Sequence, residues 1–96
     1  MNLKKILAVC GMGLGSGLVV RMNLEKVLKQ AGIEATVEVV DISSARGATG
    51  GGIDMVVTTE ELAPQLGTVK AKIIALRNIL DLNELREKVI PLLQSL

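Results

Sequence analysis

One short stretch, residues 9–17, places a nucleophile directly before a glycine loop. Cys10 is the only cysteine of the chain, and it follows an apolar run at residues 6–9. Glycines occupy every second position from Gly11 to Gly17, and a helical pattern begins after the last of them. Backbone N–H groups of such a loop, together with a helix N-terminus, favour negative charge. The arrangement predicts a reactive Cys10 thiolate with a lowered pKa that captures a phosphoryl group on its sulfur.

The residues after the cysteine are candidates for binding the phosphoryl oxygens through their backbone amides. They are Gly11, Met12, Gly13, Leu14, Gly15, Ser16 and Gly17. Glycine suits this role because the amides must converge on the anion with no Cβ in the way, in conformations that glycine adopts easily. The alternative is a tight turn beside an inert, buried cysteine. Four glycines within seven residues favour the phosphate-binding interpretation.

Composition excludes several other classes of function. The chain has one cysteine and no histidine, so we expect no metal site of the ordinary zinc type, and we predict no cofactor. It has no aromatic residue and a net charge of +1, so we expect no nucleic-acid partner. No stretch reaches the roughly 18 apolar residues of a membrane-spanning helix, and we expect no membrane insertion.

The first ten residues have a second interpretation, a bacterial lipoprotein signal, because two lysines and an apolar run precede Cys10. The run at residues 6–9 is shorter than the roughly seven apolar residues that a signal core needs. The residue before the cysteine is Val9, where such signals need a small residue. We therefore interpret the segment as a strand. A single cysteine, which cannot form an internal disulfide, fits the cytoplasm.

The elements that must position the loop alternate along the chain. Four near-continuous apolar runs predict strands buried on both faces of a parallel sheet, at residues 5–10, 36–41, 54–58 and 71–76. Apolar residues at helical spacing predict helices over 20–31 and 82–96. Gly32 is expected to end the first helix and Asp81 to cap the second, which Pro91 should kink or shorten.

Two connections are less regular. The Ser- and Gly-rich segment 42–52 is compatible with a frayed helix or a mobile loop, and a short helical piece is expected from residue 59, near Pro64. The order of elements predicts a single α/β domain over residues 1–96. Its four-stranded parallel sheet, in the order 2-1-3-4, has helices on both faces, in a three-layer, Rossmann-like or flavodoxin-like fold. Cys10 would end the first strand beside the topological switch point, where ligands bind.

Two other anion-binding sites fit the loop less well. A dinucleotide site needs Gly-x-Gly-x-x-Gly, but the third glycine position falls on Ser16 or Leu18. A low-molecular-weight, cysteine-dependent phosphatase needs an arginine six residues after the cysteine, and that position is also Ser16. Without a guanidinium clamp, release of phosphate to water should be poor. Arg21, the nearest arginine, is expected on a solvated helix face.

The loop has a specific resemblance. Residues 6–16, ILAVCGMGLGS, resemble the phosphocysteine loop of IIB proteins of the sugar phosphotransferase system, which includes the lactose/cellobiose-like domains. They are most similar to the ascorbate and galactitol types, and segments 22–25, 27–28 and 69–78 resemble the ascorbate type. One departure is Gly17, where the ascorbate type usually has a second serine, so one hydroxyl donor to the phosphate is missing from the loop.

The resemblance implies a cytoplasmic phosphocarrier, which is a phosphotransferase enzyme. A phosphohistidine on a IIA partner would pass phosphate to Cys10, and Cys10 would pass it to a sugar, ascorbate in the first instance, held by the membrane permease IIC. Gly11 to Gly17 correspond to the loop that binds phosphate. Met12 and Leu14 would either contact these partners or pack inward. Ser43, Ser44 and Thr49 are expected as turn residues rather than donors to the phosphate.

Overall fold

The structure is a computed structural model that describes residues 4–10, 16–48, 52–67 and 71–95. Strands and helices alternate through these residues, with one short 3-10 helix before the last strand. The elements are β1 (Lys4–Cys10), α1 (Ser16–Gln30), β2 (Ala35–Asp41), α2 (Ile42–Ala48), β3 (Met55–Thr59), the 3-10 helix (Ala63–Leu66), β4 (Lys72–Leu76) and α3 (Leu82–Ser95). All four predicted strands are present, but the expected burial on both faces holds only for β1 and β3, because β2 and β4 are partly exposed.

The strands form one parallel sheet in the order β2-β1-β3-β4, as predicted. β1 lies between β2 and β3, and its residues 6–9 are almost completely buried. A central strand of a parallel sheet is covered on both faces, which explains why this segment is continuously apolar instead of alternating. The end of β1 is in register with the end of β2, with Cys10 opposite Asp41.

Two aliphatic clusters cover the two faces of the sheet, so the predicted three-layer arrangement is confirmed. One face packs against α1 and α3, whose buried residues Leu24 and Leu85 belong to the same cluster as Ile6, Ala8 and Cys10. The other face packs against α2 and the 3-10 helix through the cluster Leu7, Val9, Ala45, Val56 and Leu66. Alternate residues of β1 therefore point into different clusters, and Cys10 points towards the α1 side.

The predicted ends of the long helices are present. Gly32 has a φ of 72°, and the N–H of Ile33 donates to the Leu28 carbonyl, as expected where glycine ends a helix. At the start of α3, the Asp81 carboxylate accepts hydrogen bonds from the backbone N–H groups of residues 83 and 84, at 2.9 and 3.3 Å. Pro91 does not shorten α3, which continues to Ser95 because Leu93, in the following turn, is buried in the core.

The segment after β2 is helical. An oxygen of the Asp41 carboxylate accepts hydrogen bonds from the Ser44 N–H at 2.8 Å and the Ser43 hydroxyl at 2.9 Å, which starts α2. Ser43 and Ser44 thus make local bonds, as expected of residues at a turn, whereas Thr49 lies outside the described residues. The helical piece predicted from residue 59 begins later, as the 3-10 helix, with Pro64 in its first turn.

Candidate functional site

The carboxyl ends of the parallel strands share one edge of the sheet, and Cys10 ends the central strand β1 at that edge. Asp41 lies beside it on β2. On the other side, Thr59 of β3 is in register with Leu76 of β4. Because β1 has β2 and β3 as neighbours, the cysteine lies at the predicted switch point, where α/β sheets bind ligands.

The chain enters α1 at Ser16, only six residues beyond Cys10. The predicted phosphate-binding residues Gly11, Met12, Gly13, Leu14 and Gly15 lie outside the described residues, and for Ser16 and Gly17 only the helical backbone is described. The helix begins slightly earlier than predicted, at the serine instead of after Gly17. The binding of phosphate by residues 11–17 therefore stays a prediction.

Burial determines the state of the cysteine thiol in the described structure. Cys10 is only 7% exposed and belongs to the aliphatic cluster formed with Val20 and Leu24 of α1. Burial disfavours the charged thiolate and raises the pKa of Cys10 above its ordinary value of 9.0. The prediction that the pKa of Cys10 is lowered is therefore wrong in the described structure, because the side chain faces aliphatic groups on the α1 side of the sheet. Burial therefore favours the neutral thiol, whose proton must leave when the sulfur reacts.

Thr58 is a residue of this site that the sequence did not single out. It is fully buried in β3, and its hydroxyl donates a 3.0 Å hydrogen bond to the carbonyl of Val9, the residue before Cys10. The available signal was a hydroxyl residue within the buried apolar run of a strand. That signal does not identify the partner of the hydroxyl, because the bond joins residues 49 positions apart.

The outward face of the first turns of α1 is apolar. Leu18, Val19 and Met22 are 66%, 45% and 58% exposed, which is unusual for large aliphatic side chains on a short segment. Arg21 lies beside them and forms a 3.7 Å ion pair with Glu25, with both side chains about half exposed. The expectation that Arg21 occupies a solvated helix face is confirmed.

A carboxylate holds the loop that follows β4 at the same edge of the sheet. Glu84 of α3 accepts hydrogen bonds from the backbone N–H groups of Arg77 and Asn78, at 2.7 and 2.9 Å. The loop continues to Leu80, whose carbonyl accepts a 3.5 Å hydrogen bond from the Asn23 side chain of α1. The two backbone donors, more than the ion pair with Lys88, lower the pKa of Glu84 from 4.5 to about 2.

This carboxylate predicts a pH dependence of stability. The folded-state pKa of Glu84 lies below its ordinary value, so its stabilising effect is complete above about pH 4.5 and disappears as the pH falls towards 2. We expect the urea midpoint of Glu84→Gln to lie below that of the parent chain at pH 6.5 and to approach it near pH 2.5. Glu87→Gln, an exposed position on the same helix, is the control. An equal difference at both pH values would contradict the prediction.

A parallel α/β domain whose lone cysteine ends an inner strand, six residues before a helix begins, belongs to the class of small domains suited to bind an anionic group at a nucleophile. The family model described as the lactose/cellobiose-specific IIB subunit of the PTS system matches residues 5–90. The chain belongs to this family, and the resemblance of the loop is confirmed. Membership makes it a component of a sugar phosphotransferase system, with a phosphotransferase role in general.

Similar proteins within the family share one substrate in their names. A protein of Mycoplasma pneumoniae named "Ascorbate-specific PTS system EIIB component" is 29% identical over 83 residues, which cover 85% of this chain and 86% of the relative. Proteins with the same name in Shigella sonnei and Salmonella typhimurium are 26% and 25% identical over 92 residues, covering 95% of this chain and 90% of each relative. Within the described residues, no helix is long and apolar enough to cross a membrane.

Proposed function

We propose that this protein is the cytoplasmic IIB phosphocarrier of a sugar phosphotransferase system, and that Cys10 is the residue that carries the phosphate. The observation that carries the proposal is the position of the lone cysteine at the carboxyl end of β1, at the switch point of the sheet. In this proposal residues 1–96 form one IIB domain. The phosphate donor is a phosphohistidine on a IIA protein, and the acceptor is a sugar bound by the IIC permease.

The proposed transfer proceeds in two displacements at phosphorus. The sulfur of Cys10 forms an S–P bond as the P–N bond of phosphohistidine breaks, and the thiol proton passes to the departing imidazole or to water. A sugar hydroxyl then attacks, the P–S bond breaks, and sulfur leaves as a thiolate that takes up a proton. The loop amides of residues 11–17 would stabilise the charge on the phosphoryl oxygens at each stage.

The substrate proposed is ascorbate. The proposal of ascorbate is supported by the name that the relatives share and by the fact that their similarity to this chain extends over most of its length. The substitution of Gly17 for the expected second serine removes one hydroxyl from the loop. Because the sugar is held by IIC in this proposal, the loop of this chain contacts the phosphate and not the part of the sugar that distinguishes ascorbate from other substrates.

The test is transfer between purified components. The full chain is incubated with a phosphorylated IIA protein, and intact-mass measurement and peptide mapping locate the phosphate. We expect a single phosphate, on Cys10. The phosphorylated chain is then mixed with membranes containing the ascorbate-type IIC, with ascorbate or a panel of other sugars. Absence of phosphate after incubation with any IIA would overturn the carrier function, whereas discharge only by a different sugar would correct the substrate alone.

The exposed apolar face of α1 is placed to contact the IIA donor, because it begins at Leu18, eight residues beyond the reacting cysteine. A charge on this face would be desolvated when the donor binds. We expect Met22→Glu to raise the half-saturating concentration of phosphorylated IIA about tenfold, with the saturating rate unchanged. Ile73→Glu is the control, because Ile73 is also exposed but lies near the start of the edge strand β4. Equal effects of the two variants would contradict the assignment of this face.

A further inference from the structure

We propose that Thr58 is a positioning residue for the reacting cysteine: its buried hydroxyl holds the peptide group from which Cys10 emerges. The inference rests on the proposed function, because it concerns the direction in which the Cys10 sulfur is presented. Thr58 is the one polar side chain among the fully buried residues in the part of the chain that the structure describes. A group so placed within an aliphatic core calls for an explanation.

The hydrogen bond closes the end of the β1–β3 pair. Registered pairing between these strands runs from Ile6 opposite Met55 to Ala8 opposite Val57. Just beyond the last pair, the Thr58 hydroxyl donates to the Val9 carbonyl at 3.0 Å. Val9 is itself fully buried, so its carbonyl has little access to water as an alternative donor. The Thr58 side chain on β3 thus supplies a hydrogen-bond donor to the carbonyl of Val9, the last residue before the cysteine.

The geometry explains how this bond acts on the sulfur. The Val9 carbonyl and the Cys10 N–H belong to one planar peptide group, so holding the carbonyl fixes the plane from which the cysteine side chain projects. By the alternation of β3, Thr58 points to the face of Val56 and Val9, whereas Cys10 points to the α1 face. Thr58 therefore lies across the sheet from the sulfur and acts through the backbone, without touching the phosphoryl group.

Two substitutions separate positioning from packing. Thr58→Val removes the hydroxyl and keeps the branched shape, whereas Thr58→Ser keeps the hydroxyl and removes a methyl group. Positioning depends on the hydroxyl, so the serine variant should transfer phosphate at nearly the parent rate even though it loses packing. A packing role predicts the reverse order. Thr59→Val is the matched control, because the Thr59 hydroxyl accepts a local hydrogen bond from the Leu62 N–H, at 3.3 Å, and lies at the next position of the same strand.

The experiment measures single-turnover transfer from phosphorylated IIA to each full-length variant. We expect Thr58→Val to slow the saturating rate constant about 10- to 100-fold, as for misplacement of a reacting group by up to about 1 Å, with the half-saturating IIA concentration unchanged. Thr58→Ser and Thr59→Val should stay within about threefold of the parent chain. A parent-like rate for Thr58→Val, or equal losses in the serine and valine variants, would overturn the inference.

A second readout keeps this inference separate from the proposed function. If the parent chain accepts no phosphate, the proposed function fails, and the position of Cys10 is followed instead by its alkylation with iodoacetamide at fixed pH. Loss of the Val9 bond should expose the buried sulfur more often, so we expect several-fold faster alkylation in Thr58→Val and parent-like alkylation in Thr58→Ser. If Thr58→Val does not fold, Thr58→Ala replaces it in both measurements. Identical alkylation in all variants would overturn the inference.

Discussion

Cys10→Ser should accept phosphate from phosphorylated IIA at least about 10³-fold more slowly than the parent chain, because a serine hydroxyl, unlike a thiol, needs a general base to remove its proton. A thiol is intrinsically a strong nucleophile, and its proton can leave with the departing imidazole. The chain has no histidine, so the usual residue for activating a hydroxyl is absent. A time course of intact-mass spectra, with the IIA protein in excess, measures the loss directly.

The fold should survive this substitution. Cys10 is nearly buried, and a hydroxyl placed there without a partner would cost about 1–3 kcal/mol in the free energy of unfolding. Cys10→Ala is the matched control, because it removes the nucleophile without burying a hydroxyl. Both variants should keep the far-ultraviolet circular dichroism of the parent and should fail to accept phosphate. Phosphorylation of the serine variant at the parent rate, or phosphate on another residue of the parent chain, would show that Cys10 is not the carrier.

The architecture of this domain is predictable because near-continuous apolar runs mark its strands. Such runs mark the strands of a parallel sheet without reference to the rest of the chain. The inner strands β1 and β3 are buried along most of their length, whereas the edge strands β2 and β4 are partly exposed. The helix ends are equally local, since Asp81 and Gly32 act within one turn of their own positions. The short crossover to β3 was ambiguous, because α2 depends on the Asp41 carboxylate at its start and on burial of Ala45 against the opposite face.

The properties of the site were less predictable, because they depend on which residues meet across the sheet. The raised pKa of Cys10 follows from burial of its side chain in the cluster on the α1 side of the sheet, which depends on how the helices pack against the strand. The bond from Thr58 to Val9 and the contact of Glu84 with the loop after β4 join different elements. Sequence patterns place such residues on a strand or a helix, but they do not identify the backbone group with which each side chain forms its hydrogen bond.

The phosphorylated protein should keep its phosphate in buffer, which distinguishes a carrier from a cysteine-dependent phosphatase. Such phosphatases hold the phosphoryl group with an arginine six residues after the cysteine, and this chain has Ser16 there. The nearest arginine, Arg21, is engaged by Glu25 on an exposed face of α1. An arginine that stabilises transferring phosphate contributes about 10³- to 10⁵-fold to the rate, so attack by water should be slower by a comparable factor.

Two measurements test this difference. With an aryl phosphate as the donor, we expect turnover at least about 10³-fold below that of an arginine-containing phosphatase assayed under the same conditions. With phospho-Cys10 prepared from IIA, removal of the donor should leave the phosphate in place until a IIC membrane fraction and its sugar are added. Fast aryl phosphate turnover that disappears in Cys10→Ser would establish hydrolysis as the activity. Slow loss of phosphate from Cys10 in buffer, with rapid transfer to the sugar, would support the carrier function. The phosphoryl group would then stay on sulfur until IIC and its sugar bind, because attack by water lacks the stabilisation that the bound acceptor provides.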